Sequence, residues 1–190
     1  MASLLNASTA KTYDNDVVLT TSSEMAYLNE PGEWNFFVSH VQADSKDIAL
    51  DIFTSMKYEN NKTSSLDVKM AERDEEAMRE GVRNSQIFLV IMSPAYFTRP
   101  FCVQELEWAV EYGKPIQIII DVQQKSQIGQ ILGKCPANKT YLKSIGKINF
   151  TEVFRGNPTF WEASVQSILK ANPKILMKDG NVTAVNIENV

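Results

Sequence analysis

Short apolar runs recur along the middle of the chain and are separated by longer stretches with helical spacing. The run Ile87–Met92 contains only apolar residues and is rich in branched side chains. This composition is typical of a strand that is buried on both faces of a parallel sheet. We therefore expect it to be the central strand. The five predicted strands are Trp34–Ser39, Leu66–Met70, Ile87–Met92, Ile116–Ile120 and Ser144–Phe150.

The segments between these strands predict helices with one buried face. The first is expected to begin at Asp44 or Ser45, since both residue types cap helix N-termini. A second helix is predicted whose buried side is formed by Ala77, Met78, Gly81 and Val82. Further helices are predicted at Phe101–Tyr112 and Pro158–Ala171. In the last helix, the residues expected to face inward are Phe160, Trp161, Val165, Ile168 and Leu169.

Strands that alternate with helices predict an α/β fold with helices on both faces of the sheet. We expect a flavodoxin-like, doubly wound, five-stranded parallel sheet in the order 2-1-3-4-5. The strand at Leu66–Met70 alternates apolar with charged residues, which predicts an edge strand with one solvated face. Residues 33–172 are expected to form the domain, after a flexible leader at 1–32 and before a tail at 173–190 that either pairs with the sheet or stays loose.

One carboxylate in the third predicted helix is out of place. On a helical wheel, Cys102, Val103, Leu106, Ala109 and Val110 form the core face, whereas Gln104, Glu107 and Glu111 form a solvated face. Glu105 instead shares a stripe with Phe101, Trp108 and Tyr112. In this topology ligands bind beyond the carboxyl ends of strands one and three. Glu105 follows strand three closely, so it is the candidate functional residue, although an aliphatic stem covering the rings would explain the same pattern.

Composition and charge narrow the possible functions. The net charge is -4 and the pI is about 5.1, so no basic field favours nucleic acid. The longest apolar runs are far shorter than the ~20 residues of a membrane helix, and no signal-peptide core is evident. With two cysteines, one of them on a core face, reduced thiols are expected. We therefore predict a cytoplasmic protein that binds neither nucleic acid nor membrane.

Several kinds of site require motifs that this sequence does not contain. No glycine-rich phosphate-binding motif follows the first strand. The single histidine, His40, and the spacing of Cys102 and Cys135 predict no metal site. A thiol nucleophile formed by Cys102 and His40 is a weaker interpretation than packing, because Cys102 lies on the core face.

Three motifs in order resemble the Toll/interleukin-receptor (TIR) domain family. Phe36–His40, which reads Phe-Phe-Val-Ser-His, resembles the family's Phe-Ile-Ser-His. Ser93-Pro94-Ala95-Tyr96 resembles the Ser-x-x-Tyr that ends the family's central strand, and Phe101–Leu106 is similar to its Trp-Cys-x-x-Glu-Leu. The resemblance runs from about Trp34 to Ala171. Three ordered motifs are more specific than one.

The resemblance implies a cytosolic signalling or defence module that associates with itself or with other TIR domains. In some branches it also implies cleavage of NAD+ by the glutamate that matches Glu105, with NAD+ as substrate and no cofactor. This chain has Phe101 in place of the family's tryptophan. Its loop Met70–Glu76 is short and charged and lacks the usual glycine.

The resemblance therefore leaves two functions open. In the first, Glu105 is the catalytic residue of an NAD+ nucleosidase, Phe101 or Trp108 stacks on a ring of the dinucleotide, and Ser39, His40 and Tyr96 line the rim of the site. In the second, the domain is a non-catalytic module for TIR–TIR interaction. The fold alone does not distinguish them.

Overall fold

The computed structural model describes residues 33–66 and 75–185, and these build one twisted sheet with helices on both faces. The strands are β1 Trp34–Ser39, β2 Ser64–Leu66, β3 Ser85–Met92, β4 Pro115–Asp121, β5 Phe150–Val153, β6 Lys174–Leu176 and β7 Val182–Ala184. The helices are α1 Gln42–Thr54, α2 Glu75–Arg83, α3 Pro100–Glu111, α4 Ile128–Gly133 and α5 Pro158–Lys170. A π-helical turn, Ser55–Glu59, extends α1.

The sheet has the predicted parallel order. Strands β2, β1, β3 and β4 lie side by side, and β5 pairs with β4, all in parallel. The prediction that β3 lies between β1 and β4 is confirmed, and its residues Phe88–Met92 are all buried. Complete burial on both faces explains why this run carries no polar side chain.

The alternation of side chains along the strands divides the core into two layers. Phe37 and Phe88 face the layer that contains α2, α3 and α4. Phe36 and Leu89 face the layer that contains α1 and α5. Successive strand residues point to opposite faces, so Ser39 follows Phe37 toward the α3 side. This alternation decides which residues of β1 can reach the α3 helix.

The second strand begins earlier than predicted. It starts at Ser64 instead of Leu66, and its described residues, Ser64–Leu66, are all buried. The solvated face was expected from the charged residues at 67 and 69, which the structure does not describe, so it stays a prediction. The strand begins early because Asn35 of β1 holds Thr63, whose N–H donates to Asn35 Oδ1 over 3.0 Å. Residues 67–70 of the prediction lie outside the described residues.

The fifth strand was also misplaced. Residues Ala137–Lys147 form three-ten turns, and β5 follows at Phe150–Val153 instead of Ser144–Phe150. Leu142, Ile145 and Ile148 are all buried. Their spacing of three matches the three residues per turn of a three-ten helix. This apolar pattern therefore indicates helical turns rather than a strand.

Several details of the helices differ from the predictions. Neither Asp44 nor Ser45 caps α1, which begins at Gln42. Ser45 Oγ instead accepts a bond from the Val41 N–H within the first turn, over 3.0 Å. Ala77 of α2 is exposed, and Phe160 of α5 is 58% exposed rather than inward-facing.

The segment after α5 pairs with the sheet. Strand β6 runs antiparallel to the start of β4, and β7 runs antiparallel to β6. The described sheet therefore has two strands beyond the five that were predicted. The predicted leader, 1–32, and most of the charged loop Met70–Glu76 lie outside the described residues.

Candidate functional site

The candidate site lies where β1 and β3 end and α3 begins its passage across the sheet. Ser39 is the last residue of β1 and pairs in register with Val90 of β3. The carboxyl ends of parallel strands meet at one edge of a sheet, and this edge is where α/β proteins of this topology bind ligands. The chain reaches α3 through a short turn that includes the three-ten segment Tyr96–Thr98.

Three side chains from these elements form a buried hydrogen-bonded chain. Ser39 Oγ donates to Glu105 Oε2 over 2.6 Å, and Ser39 Oγ lies 2.8 Å from the hydroxyl of Tyr96. Glu105 is 3% exposed, Ser39 1% and Tyr96 0%. A serine hydroxyl has one proton. Because Ser39 gives that proton to Glu105, Tyr96 is the donor to Ser39.

Tyr96 is suited to be that donor. Burial raises the pKa of its hydroxyl well above the usual value, and the neighbouring Cys102 and Glu105 raise it further, while the bond to Ser39 acts in the opposite direction. Desolvation disfavours the charged phenolate. Tyr96 is therefore a neutral phenol with a proton to donate at physiological pH.

The turn that carries Tyr96 is fixed from two sides. Its own backbone closes it, since Tyr96 N–H donates to the Ser93 carbonyl oxygen over 3.0 Å. From α1, Asp44 Oδ2 accepts the Ala95 N–H over 3.2 Å. Asp44 thus joins α1 to the turn before α3. The sequence had suggested Asp44 as a helix cap, so its actual partner was missed.

His40 has a different environment from its neighbour Ser39. Its ring is nearly buried, with Nδ1 3.5 Å from the Val38 carbonyl oxygen. Burial lowers the pKa of the imidazole, and the carbonyl of Val38 and the charge of Asp44 partly oppose this effect. The charged groups that act on the ring, Asp44 and Lys46, both belong to α1. The backbone carbonyl of His40 accepts a bond from Cys102 Sγ of α3 over 3.3 Å.

The two candidate stacking residues differ in accessibility. Trp108 is 6% exposed and belongs to the core on the α3 side of the sheet. Phe101 is half-buried and packs against the same core. Of the two rings, Phe101 is the more accessible to a ligand.

Glu107 was assigned to the solvated face of α3, but it is half-buried and paired. It accepts bonds from Lys139 Nζ and from the hydroxyl of Tyr141, the latter over 3.2 Å. Burial and then the charge of Glu107 raise the pKa of Tyr141 to about 12. Both partners lie more than thirty residues away in the chain, so nothing near Glu107 in the sequence could have indicated them.

Neither of the two cysteines forms a disulfide, as predicted, and the thiols of both Cys102 and Cys135 are buried. Within residues 33–66 and 75–185, no three histidine, cysteine or acidic side chains are grouped closely enough to hold a metal ion. Across the same residues, each helix is too short or too polar to cross a lipid bilayer.

Comparisons with known proteins agree with this architecture. A family model described as "TIR domain" matches residues 36–164, which is more than half of the chain, so the chain belongs to the TIR domain family. The TIR domains of the activated Roq1 resistosome, which directly recognises the pathogen effector XopQ, cover 73% of this chain at 16% identity, with a TM-score of 0.55 and 98% of that chain covered. At this identity the likeness shows the fold.

Two further solved structures are more distant. The TIR domain of the Toll-related receptor TRR-2 from Hydra magnipapillata is 13% identical, with a TM-score of 0.46, covering 72% of this chain and 99% of that chain. A metazoan TIR-STING receptor from C. gigas is 14% identical, with a TM-score of 0.48, covering 76% of this chain and 43% of that chain. No curated protein sequence matches the chain significantly.

Proposed function

We propose that this TIR-domain protein acts in cytoplasmic signalling or defence and cleaves the nicotinamide–ribose bond of NAD+, with Glu105 as the catalytic carboxylate. The observation that carries the proposal is the position of Glu105. It is a nearly buried carboxylate on α3, bonded to Ser39 at the carboxyl end of β1. This is the edge of the sheet at which doubly wound proteins bind nucleotides.

The reaction requires only one carboxylate. The bond between the anomeric carbon and the nicotinamide nitrogen breaks, and its electron pair neutralises the positive charge of the ring. The leaving group therefore needs no proton, unlike that of an ordinary glycoside, where two carboxyl groups act. Water bonds to the anomeric carbon and releases one proton. A carboxylate about 4 Å from the developing positive charge contributes up to ~4 kcal/mol at an effective dielectric near 20, on the order of a thousandfold in rate.

Glu105 must become accessible for this reaction. At 3% exposure its carboxylate can contact a dinucleotide only after neighbouring side chains move. We therefore expect activity when copies of the domain assemble with one another, and little in dilute solution. The expected partner is a second copy of this chain or another TIR domain.

The test is nicotinamide release by protein that has been clustered on an artificial oligomeriser. Wild type incubated with NAD+ is expected to release nicotinamide, measured by chromatography, and Glu105→Gln to abolish the release. Glutamine keeps the size of the side chain and removes its charge. Glu111→Gln is the matched control because Glu111 is an exposed residue of the same helix, 3.5 Å from Arg79 at its surface. Glu107 is the poorer control because it is half-buried and bonds to two side chains, Lys139 and Tyr141.

A second candidate function is a non-catalytic TIR–TIR interaction module. It is favoured by the same burial, because a carboxylate bonded to Ser39 inside the domain can serve packing alone. The two functions differ in the clustered assay. A clustered wild type that self-associates but releases no nicotinamide would refute the enzyme and support the module.

A further inference from the structure

We propose that Ser39 and Tyr96 are positioning residues that orient the carboxylate of Glu105, rather than residues that line a substrate rim; this inference rests on the function proposed above. Three geometric observations carry it. They concern the burial of the two hydroxyl groups, the direction of their hydrogen bonds and the way in which Tyr96 is held.

Ser39 and Tyr96 are both at most 1% exposed, which is less than the 3% of Glu105. Tyr96 is among the largest fully buried side chains of the described residues. In the hydrogen-bonded chain, Ser39 lies between the Tyr96 hydroxyl and the carboxylate of Glu105, with bonds of 2.8 and 2.6 Å. Their hydroxyl groups therefore act on the substrate only through Glu105.

The direction of the hydrogen bonds favours one state of the carboxyl group. Tyr96 donates to Ser39 and Ser39 donates to Glu105 Oε2, over 2.8 and 2.6 Å. A donated hydrogen bond stabilises the ionised carboxylate over the neutral acid. Donors in series polarise one another in a site with little water. The pair thus favours the charged form that the proposed reaction uses.

The same chain fixes where the carboxylate points. The ring of Tyr96 packs edge-on against Phe97, with 5.5 Å between ring centroids and 85° between planes. The turn below it is closed by the Ser93 carbonyl and held by Asp44. Because Tyr96 and Ser39 are both held in place, they fix the orientation of Glu105 Oε2. A charge that is already oriented lowers the activation barrier of the proposed cleavage without having to reorganise during the reaction.

The kinetic test compares Ser39→Ala and Tyr96→Phe in the clustered full-length protein. Each removes one hydroxyl group from the chain. Loss of a bond to a charged group predicts a fall in kcat of roughly tenfold or more for Ser39→Ala and a smaller fall for Tyr96→Phe, with KM for NAD+ within about twofold of wild type. The acid limb of the pH–rate profile should move to higher pH in both variants. A rise in KM with unchanged kcat would overturn the proposal in favour of substrate contact.

Two controls match the substitutions chemically. Tyr112→Phe removes a hydroxyl group from α3's C-terminal end, where Arg79 Nε donates to it over 2.6 Å. Ser164→Ala removes a buried hydroxyl group from α5, which accepts the Phe154 N–H over 3.1 Å. Both should leave kcat and the pH–rate profile unchanged. Should Ser39→Ala fail to fold, Tyr96→Phe carries the test, because it leaves the bond from Ser39 to Glu105 in place.

A second readout does not depend on activity. The Glu105 carboxyl carbon can be followed by NMR in protein with 13C-labelled glutamate, and its signal is assigned by its loss in Glu105→Gln. We expect the pH at which this carboxyl is half-protonated to rise in Ser39→Ala and in Tyr96→Phe, but not in the two controls. An unchanged titration in both variants would refute the positioning role. If wild type proves inert while these titrations shift, the catalytic function fails and the orienting contact stands.

Discussion

Gly81 shows how closely α2 packs against the sheet. A Cβ atom at this position would lie 3.0 Å from Cε2 of Phe37 and 3.0 Å from Oγ of Ser65. The ring of Phe37 cannot withdraw, because it is buried and stacked on Phe88 with 5.5 Å between centroids and 7° between planes. Glycine here is required by the close approach of helix and strand rather than by an unusual backbone conformation.

Gly81→Ala is therefore expected to destabilise the domain. Overpacking a dense core costs roughly 1–3 kcal/mol, which exceeds the ~1 kcal/mol that alanine gains over glycine inside a helix. Gly129→Ala on α4 is the control, since a Cβ there meets nothing within 4 Å. It should be neutral or slightly stabilising. Urea unfolding of both variants measures the difference, and a Gly81→Ala protein as stable as wild type would show that Phe37 and Ser65 can shift.

At the scale of elements, continuous apolar runs predicted the positions of strands well, whereas apolar residues separated by polar ones did not. The runs in β1, β3 and β4 have no helical alternative of comparable length, so their positions were predicted to within two residues. Ile145 and Ile148 were wrongly assigned to a strand, because an apolar spacing of three within a short segment does not by itself distinguish three-ten turns from a strand. The short strand β2 has too few apolar residues to stand out from its loop.

The candidate site was predictable only in part, for a related reason. Glu105 was identified because a carboxylate on an aromatic stripe breaks the periodicity of its own helix, which is a local property of the sequence. Its contact with Ser39 spans 66 positions and the contact of Ser39 with Tyr96 spans 57. Such contacts depend on strand register and turn geometry, which the periodicity of one element does not encode. The sequence thus indicated the residues but gave Ser39 and Tyr96 a place at a rim, whereas both are buried.

The strands after α5 are expected to belong to the folding unit. Leu176 of β6 is 0% exposed and lies in the core layer of α3, whereas the next residue, Met177, is 46% exposed. Leu176→Ala should therefore cost about 2–5 kcal/mol of unfolding free energy. Met177→Ala, the adjacent control, should cost little. Equal and small effects in thermal or urea unfolding would mean that β6 is peripheral and that the domain ends near residue 172, as the sequence suggested.

For the whole molecule, few side chains change their charge near neutral pH, so the dependence of stability on pH is simple there. The chain has a net charge of -4 and a single histidine. Ordinary carboxyl groups titrate below about pH 5, and lysine, tyrosine and arginine above about pH 9. Cysteine thiols ordinarily titrate near pH 8.5, so between about pH 5 and pH 7.5 His40 is the side chain whose usual pKa falls in the range, and it is buried. The pH dependence of stability in this interval thus reports mainly on one residue.

The last prediction follows from the pKa of His40, which burial lowers from its usual value of 6.5. In the unfolded chain the imidazole takes up its proton near pH 6.5, whereas in the folded protein it does so at lower pH. The unfolded state therefore binds more protons between these two values, and stability falls as the pH is lowered through them. Above pH 6.5 the contribution is fully present. Urea unfolding at intervals from pH 8 to pH 5.5 should show constant stability followed by a decline, and His40→Gln should flatten that decline whatever its effect on stability at pH 8. A decline that persists unchanged in His40→Gln would show that a group other than His40 governs the response.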